Sequence, residues 1–208
     1  MKQKQSDTFR HLYNLFTEDE CWERSEKSAK HILSAIAFKE SSCVSFKKTK
    51  SVLLPPIGYY YSFFHMAVAL CWLDPRIKKE KLEKLRHSTL QNLILDNFIN
   101  QNILSSSFTD TMQELKEERE WLNYTFGEFN YDFFENVKNH EELSSVEFEK
   151  CFEVIDKICD LLKFKFDIKQ RIKIYIADSK GDDFVQTYLS EDEQDAVMNY
   201  LVKIGYSN

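Results

Sequence analysis

Four glycines and three prolines in 208 residues leave this chain few places to reverse direction tightly. Tight turns draw on Gly and Pro because other residues resist the backbone angles required. A β-sandwich or barrel needs many such turns, so those classes are excluded. A glycine-rich phosphate loop is excluded too, because no two glycines lie close together. The 43% hydrophobic fraction, with 17 Phe and 10 Tyr, supplies a sizeable core and argues against global disorder. The expectation is an all-α bundle of ordinary domain size.

The net charge of −6 argues against binding polyanions through bulk electrostatics. Charge is distributed unevenly, however. Residues 76–86 hold six Lys/Arg and two Glu, whereas residues 178–208 hold seven acidic and two basic side chains. Five cysteines (Cys21, Cys43, Cys71, Cys151, Cys159) form no CxxC pair, which fits reduced thiols in a cytoplasm. No zinc-ligand spacing accompanies them, and neither a metal nor a cofactor is expected. The polar first ten residues do not read as a secretory leader. The run from Val52 to Leu73 is broken by Pro55, Pro56, Gly58, Ser62 and His65, and reads as a turn followed by a buried helix.

Thr17-Glu18-Asp19-Glu20 has the form of a capping box that starts a helix through Trp22, Ala29, Ile32, Leu33 and Ile36. Ser41 to Gly58 lacks a period and reads as a long connection. Tyr59 to Trp72 is apolar nearly all round, the mark of a helix in the middle of a bundle. Asp74-Pro75 then reads as the start of one long helix from Arg76 to Asn102. A further helix spans Asp110 to Phe126, with Met112, Leu115, Leu122 and Phe126 inward. Tyr124 to Phe134 reads as irregular. Ser144-Ser145-Val146-Glu147 reads as a second capping box, with Leu143 and Phe148 as its hydrophobic staple. Ile172, Ile174 and Ile176 alternate as in a strand, although Ile168, Ile172 and Ile176 also fit a helical stripe. Ser190-Glu191-Asp192-Glu193 caps a last helix that Gly205 terminates.

Three stretches, in order, resemble motifs of the HEPN superfamily of prokaryotic helical proteins. Tyr60-Tyr61-Ser62-Phe63-Phe64-His65-Met66-Ala67-Val68-Ala69-Leu70 is similar to the YYAxFHxAxALL pattern of HEPN proteins encoded beside minimal nucleotidyltransferases. Leu85-Arg86-His87-Ser88-Thr89-Leu90 with Asn97-Phe98-Ile99 resembles their KxHSGVIxxF…FV segment, and Arg119-Glu120-Trp121-Leu122-Asn123-Tyr124 their RxxADY. The prolines ahead of the tyrosines resemble the YaaC-like branch. Thr89 stands where the family has Gly, and Asn123 where it has Asp. The resemblance covers about residues 20–165. It implies a bundle of four to five helices (1–165), leaving 166–208 as an acidic C-terminal extension, a strand plus a helix.

Active members of that superfamily cleave RNA with an R-x4–6-H motif. His87 and Arg119 do not form that motif, but both fall at resembled motif positions on adjacent helices, which makes His87 the candidate acid/base and Arg119 the candidate electrostatic stabiliser. The plainer alternative is a structural histidine and an arginine bonded to an acid such as Glu83. Arg24 and His31 have the motif's spacing but lie on the wrong helix, and read as a solvated face. His65 reads as a hydrogen-bonded core residue, and His140 as exposed in a polar loop. Arg76, Lys78, Lys79, Lys81 and Arg86 form a candidate phosphate-binding surface. Tyr124, Phe126, Phe129 and Tyr131 form a candidate partner-binding segment. Because the standard motif is missing, the expected role is a non-catalytic, cytoplasmic accessory or scaffold subunit of an anti-phage defence or toxin–antitoxin complex. Its partner would be a larger protein of the same operon: a nucleotidyltransferase, an ATPase or an effector nuclease. RNA or DNA and a second copy of the chain are further candidates, and a membrane is not. The alternative role is a metal-independent ribonuclease.

Overall fold

The computed structural model describes residues 1–50, 53–124, 133–162, 167–177 and 189–207, with the backbone alone for 123–124 and 133–135. Among these the chain is all-α, as the scarcity of turn residues requires. Helix α1 (Gln3–Asn14) buries Phe9 and Tyr13, one turn apart on an otherwise polar segment. Helix α2 (Glu18–Thr49) starts where Thr17 Oγ1 accepts from Glu20 N at 3.1 Å. Three acidic residues in its first turn complement the positive end of the helix dipole. The helix continues through the stretch expected to be a connection. Ser42, Cys43 and Phe46 are buried at helical spacing, and Lys50, with φ of 54°, closes it.

Helix α3 (Leu54–Leu73) has Pro in its first turn, where a missing N–H costs nothing. Tyr59, Tyr60, Phe63, Met66, Ala67, Leu70 and Cys71 are fully buried, so α3 is the central post of the bundle. Its largest interface is with α2. There Gly58 lets the backbones close: a β-carbon would collide with Ser42 Oγ and lie 3.3 Å from the Phe38 carbonyl.

After α3 the expected long helix is divided. Asp74 ends α3 and is buried, with its carboxylate committed to the backbone N–H and guanidinium of Arg76. It therefore caps no following helix. One short turn, α4 (Lys79–Leu82), comes before α5 (His87–Ile94). The start of α5 is fixed by Thr89: its hydroxyl accepts from Arg86 N and donates to Arg86 O. A π-helical turn (Leu95–Ile99) ends it, and Asn102 adopts φ of 54°.

Helix α6 (Ser107–Tyr124) turns Met112, Leu115 and Leu122 inward as expected. Helix α7 (Phe133–Leu161) runs straight through the expected second capping box. Ser144 and Ser145 donate back to the Glu141 carbonyl, and Glu147 accepts from Ser107 on α6, so neither serine is left to start a helix. Helix α8 (Ile168–Ala177) replaces the expected strand. Ile168 and Ile172, one turn apart, are buried, so the four-residue stripe prevails over the alternation. Helix α9 (Glu191–Lys203) has the reciprocal Ser190–Glu193 cap. Gly205, at φ of 73°, turns the chain so that Tyr206 N donates to Leu201 O at 2.8 Å. Both α8 and α9 pack on α2, and their buried side chains join the common core. Among the described residues no helix is long and apolar enough to cross a membrane.

Candidate functional site

Three helices bring the resemblance-derived residues together. Tyr60 comes from the central α3, His87 is the first residue of α5, and Arg119 lies on α6. Tyr60 Oη and His87 Nδ1 are 2.6 Å apart, with the two rings stacked at 5.7 Å. The Arg119 guanidinium lies over the Tyr60 ring at 4.4 Å and reaches Tyr61 at 6.0 Å. Tyr60 is thus the bridge between the other two. Tyr60 is buried, whereas His87 is exposed. Its Nδ1 is engaged by Tyr60, which leaves Nε2 as the ring nitrogen for other work.

The electrostatics follow from this placement. Partial burial, the Arg119 cation and Lys116 together hold the His87 imidazole below its ordinary pKa, so it is neutral at pH 7. Burial raises the Tyr60 phenol, and Arg119 offsets only part of that, so Tyr60 keeps its proton. Arg119 pairs with Glu120 at 3.5 Å, not with Glu83. Its Nε–H is buried and meets no hydrogen-bond acceptor among the described residues.

A second pair of histidines adjoins the first group. His31 on α2 and His65 on α3 meet through Nδ1 at 2.9 Å, and Phe38 stacks on His65. Phe64 connects the two groups: its ring lies 4.2 Å from that of His87 and 5.6 Å, edge-on, from that of His65. No sequence signal links His31 to His65, because only helix packing closes the 34-residue gap. Among the described residues, no three His, Cys, Asp or Glu side chains gather as metal ligands would.

The remaining candidates are placed elsewhere. Arg24, read as solvated, is 1% exposed. Its guanidinium donates to the carbonyls of Trp72, Asp74 and Ile77, which tie down the end of α3. It is a structural clamp and does not meet His31. Arg76 is committed to Asp74 and the Asn97 carbonyl, and Lys79 to Glu23 at 2.5 Å. Lys78, Lys81 and Arg86 are exposed. His140 lies on α7 rather than in a loop, and is buried with Nε2 2.7 Å from Glu118. It borders a cleft of about 530 Å³ with Glu114, Glu117, Trp121 and Asn136, which His87 does not line. Tyr124 ends α6, and Phe126, Phe129 and Tyr131 lie outside the described residues.

No family model matches the chain, and no significant match was found among curated proteins or solved structures.

Proposed function

We propose that this chain is an HEPN-type helical protein that binds single-stranded RNA at the His87–Tyr60–Arg119 cluster and cleaves it without a metal ion. The observation supporting this reading is the convergence on Tyr60 of an exposed neutral imidazole and a guanidinium from two different helices. In the tautomer with Nδ1–H donating to Tyr60 Oη, His87 Nε2 carries a free lone pair. It takes the proton of a ribose 2′-hydroxyl as that oxygen attacks the adjacent phosphorus. The same proton then passes from Nε2 to the departing 5′-oxygen, leaving a 2′,3′-cyclic phosphate and a 5′-hydroxyl. Arg119 places a fixed positive charge against the charge that builds on the phosphoryl oxygens.

The accessory-subunit reading is supported by a different observation. Arg119 is itself partly buried between Tyr60 and Glu120, which suits a clamp joining α3 to α6. In that case the bundle is a scaffold for a larger operon partner. One experiment separates the two. Purified protein is incubated with end-labelled single-stranded RNA in excess chelator. The nuclease reading expects cyclic-phosphate products, lost about 100-fold or more in His87→Gln, with circular dichroism unchanged. A loss of about 10-fold is expected in Tyr60→Phe, which keeps the ring and drops the hydroxyl that orients the imidazole. Intact RNA with the wild-type protein, or equal cutting by His87→Gln, overturns it and leaves the scaffold.

A further inference from the structure

The His31–His65 pair forms part of a larger feature. Beside it opens a cleft of about 380 Å³, a size that suits a small ligand. Helix α2 supplies Lys27 and His31, and α3 supplies Phe64 and Val68. The turn after α4 closes it with Leu85. Glu23 and Glu83 also line it, but both carboxylates face Lys79, at 2.5 and 3.7 Å, so the lining carries little net negative charge. Its chemistry is an apolar wall, one neutral imidazole, one exposed ammonium group and, at one side, two carboxylates paired with Lys79.

The imidazole edge is defined by the pairing. Two Nδ1 atoms at 2.9 Å share a single hydrogen, so one ring donates and the other accepts. The Nδ1 of His31 is consumed in that bond, and Nε2 remains for a ligand. Burial, together with the neighbouring histidines and Lys27, holds both rings down to about 4, so neither is charged at neutral pH. A neutral imidazole offers its remaining ring nitrogen as one donor or one acceptor to a neutral polar edge.

The position of the cleft beside His87 bears on which ligand would fit it. Phe64 lines it and also contacts the His87 ring at 4.2 Å, so a single aromatic side chain separates the cleft from the phosphate-handling cluster. Proteins that recognise single-stranded RNA splay bases out, stack them on aromatic rings and hydrogen-bond their edges. We infer that the cleft is a nucleobase subsite for the nucleotide flanking the bound phosphodiester. Phe64 offers the stacking face, His31 Nε2 meets the base edge, and Lys27 sits at the mouth for the next phosphate. This inference rests on the RNA-binding reading and would make the cleft the determinant of sequence preference.

The test uses two fluorescent eight-nucleotide strands that cannot react. One is 2′-fluoro RNA, and the other is the same backbone without bases. The wild-type chain is expected to bind the base-bearing strand at least about fivefold more tightly than the abasic one, the lower bound for one stacked base. Val68→Trp and Leu85→Trp plug the cleft from opposite walls. Each variant that retains its urea midpoint is expected to lose that preference and keep its affinity for the abasic strand. Equal binding of the two strands by the wild-type chain overturns the base subsite while leaving RNA binding intact. So does a preference that survives both plugs. Failure to bind either strand overturns the RNA reading and the subsite with it.

Discussion

Arg24→Met measures how far burial and hydrogen bonding separate a structural arginine from a catalytic one. Methionine keeps much of the stem and removes the guanidinium. The lost donor contacts are Ile77 O at 2.9 Å, Asp74 O at 3.3 Å and Trp72 O at 3.4 Å. Nε to Glu20 Oε1 at 3.0 Å goes as well. One well-formed buried bond whose acceptor is left unmet costs about 1–3 kcal/mol. The two longer contacts share one nitrogen and together add roughly 1 kcal/mol. The partly exposed Glu20 pair adds roughly 1 kcal/mol and relief from burying the guanidinium offsets a similar amount, which leaves a net loss of roughly 3 kcal/mol. A chain of this size has a urea slope of roughly 3 kcal/mol per molar, so the unfolding midpoint should fall by about 1 M. Arg10→Met, on the exposed face of α1, serves as the control and should shift it by less than about 0.2 M. If Arg24→Met unfolds with the control while RNA cleavage collapses, the clamp argument is refuted and the R-x6-H spacing with His31 becomes the live explanation.

Three further outcomes follow from the geometry. Removing the cation in Arg119→Met raises the His87 pKa toward its ordinary value. An NMR titration of the His87 ring should show the rise, and the acid limb of any cleavage profile should move to higher pH; an unmoved titration would place Arg119 away from the ring. His31 and His65 are held near 4 in the folded chain, so below about pH 6.5 the unfolded chain takes up protons that the folded one refuses. Stability is therefore full above that pH and declines toward pH 4, by roughly 2–4 kcal/mol for the pair after allowance for partial exposure. Urea midpoints at pH 7 and pH 4.5 should differ more in the wild type than in a His31→Leu, His65→Leu double variant. Gly58→Ala forces a β-carbon against Ser42 Oγ and should cost about 1–2 kcal/mol in thermal unfolding. Adding Ser42→Ala should restore more than half of that loss.

The sequence made legible whatever is decided within a turn or two. The all-round apolar character of α3, the Thr17 and Ser190 caps and the inward face of α6 needed only local spacing. What escaped was decided by distant partners. Ser144 to Glu147 spells a cap, but Glu147 is claimed by Ser107 and the serines bond backward. The break between α4 and α5 turns on a two-way bond from Thr89, at a position where the resembled family has Gly. In the site, only the ordered motifs singled out His87 and Arg119, which the structure places against the same tyrosine. The Tyr60 bridge between them, the His31–His65 contact and the burial of Arg24 are products of packing that no spacing announces.

The central helix carries two jobs on one rotating frame. Each residue along it advances the direction of its side chain by about 100°. Tyr60, Tyr61, Phe64 and His65 therefore point toward the histidines, while Tyr59, Phe63, Met66, Ala67 and Leu70 plug the interior. One residue gained or lost between Tyr61 and Phe64 would turn everything beyond it by more than a quarter of a revolution. Imidazole would be driven toward the interior and phenylalanine out to water. Lineages carrying this chain should consequently keep the length of the helix unchanged. Insertions should collect in the connectors on either side.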